Sequence, residues 1–323
     1  MASQTPIARA DALLAAGQTA PAVALVRAAA DQGDVDALYR LASWHLIGNP
    51  LARDIPAARR LLRAAIAIGH VDAALMETAF TANGSGDAPD WATALGLLRS
   101  AAPGDPVAAA QLALVDRMTL DPQGYPARSP IGRSLSDKLD IRLFPALCSP
   151  AECAHLAHTA APMLMPAEVV DPATGRFIRN PVRTSHAAVI GPANEDLAIR
   201  AINLRIAAAS QTNVAAGEPL TVLHYAPGQE YRPHHDAFPQ AAPQRDWTML
   251  VYLNEGYRGG GTTFPKIGLT VEGRLGDGLL FRNTGSNGLP DPLALHAGLP
   301  VQAGRKWLCT RWIRTAAYDP WAS

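Results

Sequence analysis

Lysine is almost missing from this chain of 323 residues, occurring only at Lys138, Lys266 and Lys306. Net charge is missing as well, because 28 Lys and Arg balance 28 Asp and Glu. Without a charge excess there is no field to draw in nucleic acid or an anionic membrane surface, so neither partner is expected. Cysteine is scarce and odd in number, at Cys148, Cys153 and Cys309. That excludes a disulfide framework and fits a reducing compartment. No apolar run reaches the length of a membrane span. The first thirty residues scatter arginine and aspartate through an alanine-rich helix, without the charged, apolar and cleavage regions of a signal peptide. These absences lead us to expect a cytoplasmic protein. Abundant Ala, Arg and Pro point to a bacterium with a GC-rich genome.

What is present repeats. A shift of 36 residues aligns Leu25 with Leu61 and Leu97, Arg27 with Arg63 and Arg99, and Ala29 with Ala65 and Ala101. Val35, Val71 and Val107 follow, then Ala37, Ala73 and Ala109. Gly48 matches Gly84, and Asp54 matches Asp90, each aspartate being followed by Ala four residues on. Each period reads as two antiparallel helices that cross on small alanines and turn at a glycine. One unit cannot bury its own apolar face, so three would stack into a shallow solenoid. The pattern resembles the tetratricopeptide-related Sel-like repeats. That resemblance implies an array that holds partner proteins or peptides. Packing on a second domain, or supporting a dimer, is the alternative that the residues leave open. The expected organisation is a helical repeat domain over 1–120, a linker over 121–140 rich in Pro, Gly and Ser, and a second domain over 141–323.

The second domain begins with helices. Ser149-Pro150-Ala151-Glu152 is a capping box with proline at the first helical position, opening a helix to near Leu164. Another helix is expected over Asn194 to Ser210, with Leu197, Ala201, Leu204 and Ala208 on one stripe. Short runs then follow at Leu220–Tyr225, Trp247–Leu253, Leu269–Glu272, Leu279–Arg282 and Trp307–Ile313, separated by Gly, Pro and Asn clusters. They predict a small antiparallel barrel or jelly roll. The fold class is therefore α + β, a helical repeat solenoid followed by a β-barrel domain with supporting helices.

The chemistry lies just after the first of those strands. His234 and Asp236 are two apart, so on an extended strand their side chains share a face, and a distant imidazole, His296, can close a triangle on a metal. Two imidazoles and a carboxylate are the ligand set of non-haem Fe(II) oxygenases, with three coordination positions left open. His235 and His224 alternate away from that face and read as packing or surface residues. In the last strand the period of two puts Lys306, Leu308, Thr310, Trp312 and Arg314 on one face. If that face lines the barrel, Lys306 can reach a carboxylate inside while Trp312 walls the same cavity. Gly259-Gly260-Gly261 reads as a tight hairpin, since no helix start or lysine follows as a phosphate loop requires.

Across residues 141–323 these motifs run in a specific order. They are Cys148-Ser149-Pro150-Ala151-Glu152-Cys153, Arg183-Thr184-Ser185, Glu218, Tyr225-x-x-Gly228-Gln229-x-Tyr231-x-x-His234-x-Asp236 and Arg245-x-x-Thr248-x-x-x-Tyr252-Leu253-Asn254. Gly259-Gly260-Gly261-Thr262-Thr263-Phe264-Pro265, His296-Ala297-Gly298-x-Pro300-Val301, Gly304-x-Lys306-Trp307 and Trp312-Ile313 complete the series. Together they resemble the Fe(II)- and 2-oxoglutarate-dependent prolyl 4-hydroxylases and their bacterial relatives. The resemblance implies a double-stranded β-helix of cupin type, with iron on His234, Asp236 and His296. It also implies 2-oxoglutarate on Lys306, Tyr225 and Thr262, and a substrate facing Tyr231, Arg245 and Trp312. Fe(II), 2-oxoglutarate, O2 and ascorbate would be the cofactors. The reaction would couple hydroxylation of a peptide or protein to decarboxylation of 2-oxoglutarate to succinate. Two positions depart from the pattern: Gly261, where glutamate is usual, and Arg314, where a peptide-hydroxylating relative carries histidine. A small-molecule oxygenase on the same site is the alternative within enzymes, and a catalytically silent, repeat-based binding adaptor is the alternative outside them.

Overall fold

The period of 36 residues becomes a period of helix pairs. The helices are α1 Pro6–Ala15, α2 Thr19–Asp31, α3 Val35–Ile47, α4 Ile55–Ala67, α5 Val71–Asn83, α6 Trp91–Ala101 and α7 Pro106–Val115. Helices α2, α4 and α6 begin 36 residues apart, and they carry the equivalent buried positions Ala22, Ala58 and Ala94, each 0% exposed. The leucines at 25, 61 and 97 reveal the period but are only half-buried. Their successors Val26, Leu62 and Leu98 are the fully buried ladder, because they face the partner helices squarely. Gly48 and Gly84 end α3 and α5 in the left-handed conformation, at φ 81° and 80°, where a Cβ would be strained. Asp54 and Asp90 then cap α4 and α6 by accepting from Ala57 and Thr93 backbone N–H groups. The third copy slips by one residue. Asp105 caps α7 and Pro106 opens it, so Ala108 is the buried alanine and Ala109 is exposed, where alignment with Ala37 and Ala73 predicts the reverse.

The computed structural model describes residues 5–170, 177–178, 182–238 and 241–322. Backbone contacts divide the chain into two compact units, Met1–Arg117 with Glu195–Arg200, and Met118–Asn194 with Ala201–Ser323. The stretch expected as a linker falls in the second unit and contains a strand, β1 Arg133–Ser134, paired with β2 Ile141–Phe144. The helix opened by Ser149 is α8 Pro150–Ala160, continued by a 3-10 turn at Ala161–Met163. Its capping box forms as expected, with Ser149 and Glu152 each accepting from the other's backbone. The later helix is α9 Leu197–Ser210.

The strands continue as β3 Met165–Pro166, β4 Val169–Val170, β5 Phe177–Ile178, β6 His186–Ile190, β7 Leu220–Tyr225, β8 Tyr231–His234 and β9 Arg245–Tyr252. After them come β10 Arg258–Gly259, β11 Thr262–Phe264, β12 Leu269–Val271, β13 Gly278–Arg282, β14 His296–Gly298, β15 Val301–Ala303 and β16 Lys306–Arg314. An antiparallel sheet in the order β1-β2-β13-β9-β16-β7-β6-β3 faces a smaller sheet in the order β12-β11-β14-β8. Between them Leu143, Leu223, Leu250, Leu279 and Leu308 from the large sheet meet Phe264 and Val271 from the small one in a single apolar cluster. This two-sheet architecture is the expected jelly roll, and its core is where the two inward faces alternate with solvent-facing residues.

Candidate active site

The smaller sheet builds the metal-ligand geometry by register. Strands β8 and β14 are antiparallel neighbours, and His234 and His296 are direct partners across the ladder. Asp236 lies just beyond β8 and turns onto the same face. His234 Nε2 and His296 Nε2 each lie 3.6 Å from a carboxylate oxygen of Asp236. One ligand atom from each of the three lies within 4.8 Å of the others.

Each ligand is held by a second contact. His234 Nδ1 donates to the Arg232 carbonyl at 2.8 Å, and His296 Nδ1 donates to the Ala294 carbonyl at 3.0 Å. A carbonyl only accepts, so both Nδ1 atoms carry the proton and both Nε2 lone pairs are left for a cation. Asp236 accepts from the Thr248 hydroxyl at 2.7 Å, and Thr248 Oγ1 in turn accepts from Asn283 Nδ2 at 2.9 Å. Phe281 and Phe264 pack on the His296 ring at 4.6 and 5.8 Å, and Tyr231 stacks on His234 at 3.4 Å. Burial, with His296 nearby, drives the His234 imidazole down to about 3, so it is neutral and ligand-ready. Burial pushes the Asp236 carboxyl up. His296, His234, Arg245 and the Thr248 hydroxyl outweigh it together and hold the group below its usual range. Two imidazoles with Nε2 turned inward and one carboxylate on a common face fit Fe(II) by donor chemistry and by geometry.

A second cluster forms where β16 passes β7. Lys306 and Tyr225 are register partners, and the Lys306 side chain is buried. Its Nζ donates to the Gly260 carbonyl at 2.6 Å and lies 5.6 and 5.5 Å from the Tyr225 and Tyr252 rings. No carboxylate pairs with it among the described residues, and burial pushes its ammonium down to about 8. Thr262 lies beside Gly298 on β14, two residues from His296, and its hydroxyl shares a 3.0 Å hydrogen bond with Tyr252. Lys306, Tyr225 and Thr262, the three residues that the family resemblance groups together, thus come together around Tyr252 on the inner side of the barrel.

The third group, Tyr231, Arg245 and Trp312, also reaches the site, with partners that the motifs alone did not reveal. Arg245 forms a two-pronged ion pair with Glu218, at 2.6 and 2.7 Å, while its guanidinium covers Trp312 at 4.0 Å and Phe238 at 5.1 Å. Arg314 reaches the same Glu218 at 2.8 Å. The Arg183 guanidinium lies 4.8 Å over the Tyr231 ring. His235 is exposed, and the His224 ring packs at 4.7 Å on Trp307, so both face away from the ligands as their alternation predicts. Sequence reasoning assigned no role to Thr248 or Asn283. Thr248 stands inside a quoted motif and could have been found there, whereas nothing in the sequence marks Asn283.

Comparison with known proteins gives the same direction. Residues 220–314 match the family model described as the 2OG-Fe(II) oxygenase superfamily. Prolyl 4-hydroxylase 1 of Arabidopsis thaliana is 38% identical over 188 residues, covering 52% of this chain and 66% of that protein. Probable prolyl 4-hydroxylase 3 of the same plant is 36% identical over 194 residues, covering 53% and 67%. The chain thus spans about two thirds of the length of these curated relatives. Among solved structures, a Sel1 repeat protein from Oxalobacter formigenes is 32% identical over 27% of this chain and 66% of that one, with a TM-score of 0.26.

Proposed function

This chain belongs to the prolyl 4-hydroxylase family of 2OG-Fe(II) oxygenases, and from that premise we propose that it hydroxylates proline in a peptide or protein. The observation that carries the proposal is the convergence of His234, Asp236 and His296 in one barrel with a buried lysine, Lys306, that has no carboxylate partner among the described residues. Iron and 2-oxoglutarate, when bound, supply the oxidising chemistry, which couples decarboxylation of the cosubstrate to succinate with hydroxylation of the substrate. His234, Asp236 and His296 would hold the metal. Thr248 would orient Asp236, as outer hydrogen bonds do for metal-bound carboxylates. Lys306 would bind the far carboxylate of 2-oxoglutarate, with Tyr225 and Thr262 beside it. The apolar walls contributed by Phe264, Phe281 and Leu308 would keep water out. Tyr231, Arg245 and Trp312 would face the substrate.

The domain assignment stands within the same proposal: repeats over 1–120, a connecting stretch over 121–140 and the oxygenase over 141–323. The repeat unit has its own cleft of about 590 Å³, lined in part by Arg63, Glu77, Asp87, Asp90 and Leu97. A groove of that size, lined by charged and apolar side chains together, supports a role in holding a peptide chain. Three free, buried cysteines support a reducing, cytoplasmic setting. No helix among the described residues is long and apolar enough to cross a membrane.

The test uses purified protein with Fe(II), ascorbate, 2-oxoglutarate and proline-containing peptides. Succinate release and a one-oxygen gain by mass on a peptide are expected. Asp236→Ala or His234→Ala should abolish both, and turnover surviving either change would overturn the metal assignment. Succinate release stimulated by small metabolites, with no peptide gaining oxygen, would instead favour a small-molecule oxygenase.

A further inference from the structure

Arg183 and Arg245 stand beside the metal-ligand trio, Arg314 joins Arg245 on Glu218, and among the described residues that is the one carboxylate paired with any of the three. Arg245 and Arg314 share Glu218, which is 7% exposed, and Arg314 also donates from Nη1 to the Pro243 carbonyl. Arg183 is 9% exposed, and its Nε and Nη2 have no hydrogen-bond partner among the described residues. Its Nη1 reaches only the Glu168 carbonyl, at 3.5 Å. The nearby Glu230 carboxylate is taken by Arg232, itself largely exposed. Stacking on Tyr231 and Trp312 steadies these guanidiniums but does not neutralise them.

Charge at the reacting centre is already balanced without the three arginines. Once bound, Fe(II) together with Lys306 would offset Asp236 and the two carboxylates of 2-oxoglutarate. Among the described residues two positive charges are therefore left in excess near the trio, one on Arg183 and one on the Arg245–Glu218–Arg314 cluster. Buried charge without a partner is strongly unfavourable, and it is relieved when a ligand brings the opposite sign. We infer that the substrate of this chain carries a carboxylate next to the target proline, and that Arg183 and Arg314 recognise it. This rests on the hydroxylase reading and sharpens it from any proline-containing peptide to an acidic one. The carboxylate can come from an acidic side chain flanking the proline or from a chain terminus.

The experiment measures binding as well as turnover. Fluorescence anisotropy of labelled peptides is read on the full chain, with 2-oxoglutarate and with Mn(II) in place of iron. The peptides are identical except that Glu, Gln or Lys flanks a single proline, and a further pair ends in proline as the free acid or the amide. The Glu peptide should bind roughly tenfold or more tightly than the Gln peptide, with the Lys peptide weaker still. The preference should shrink as salt is raised. A preference for the free acid over the amide would identify the terminus as the source, and a preference confined to the Glu peptide would identify the side chain. Arg314→Gln leaves Glu218 paired with Arg245 and should narrow the Glu-to-Gln ratio about threefold or more. A melting curve checks that this variant folds; if it does not, the peptide series on the unaltered protein decides. Equal affinity for Glu and Gln peptides, together with equal affinity for the free acid and the amide, would overturn the inference. Oxygen gain is scored separately by mass. Peptides that bind with the charge preference yet gain no oxygen would uphold the carboxylate recognition and overturn the hydroxylase reading.

Discussion

Arg59 in the repeat unit and Lys306 in the barrel are both nearly completely buried cations, 4% and 2% exposed, and the fold treats them in opposite ways. Arg59 donates to both carboxylate oxygens of Glu77, to the Ser85 carbonyl and to the Thr81 hydroxyl, with Arg63 adding a further bond to Glu77. Its charge is answered inside the chain. Lys306 has one carbonyl, two aromatic rings and no counter-charge among the described residues. The contrast separates two uses of a buried charge. A closed pair ties helices α4 and α5 together, and an open one marks the place where a ligand of opposite sign belongs.

Removing the internal partner should break the closed case most severely. Glu77→Ala would strand Arg59 without its anion and cost about 3–5 kcal/mol of stability, read by denaturant unfolding of the whole chain. Loss of well under 1 kcal/mol would mean that Arg59 is solvated by other means. In the barrel, Thr248→Val takes the hydroxyl from Asp236 while keeping its shape. Metal affinity should fall about 10–100-fold, read by Mn(II) titration, with little change in melting temperature. A large loss of stability with unchanged metal affinity would move Thr248 to the structural side of the comparison.

The pH dependence of the open charge sharpens the contrast further. With its ammonium pushed down to about 8, Lys306 loses its proton as pH rises through that value. Affinity for 2-oxoglutarate should therefore weaken by about tenfold per pH unit above it. In the ligand-free protein the sign is opposite. An unfolded lysine keeps its proton to its ordinary value near 10.5, so between the two the unfolded chain binds more protons and stability rises with pH. Lys306→Arg stays charged and should remove both trends, whereas a 2-oxoglutarate affinity flat across this window in the unaltered protein would contradict the assignment. The smallest effect is expected at Arg63, whose side chain is 58% exposed. Arg63→Ala leaves the Arg59–Glu77 pair intact and should cost less than about 1 kcal/mol, measured by the same unfolding curve.

Much of this was legible in the residue order because it depends on short-range rules. The helix pairs follow from alanines and glycines at a fixed period. His234 and Asp236 share a face because side chains alternate along a strand, and Lys306 turns inward by the same rule in β16. Where a single residue shifts the phase, the pattern misleads: Asp105-Pro106 starts α7 early and moves the buried alanine from 109 to 108. The partners of the site residues were less legible. Asn283 reaches Asp236 only through Thr248, 35 residues away, and Glu218 gathers Arg245 from 27 residues away and Arg314 from 96.

By itself, then, the sequence determined the kinds of element, the inward face of each strand and the identity of the atoms able to ligate a cation, since propensity, periodicity and side-chain chemistry are local. Only the tertiary structure decided that His296 stands opposite His234, that Arg59 finds Glu77, and that Lys306 and Arg183 have no carboxylate partner among the described residues. Those outcomes depend on strand register and on which distant side chains arrive in the same low-dielectric space, where a missing or present counter-charge determines whether a group holds the fold together or waits for a ligand.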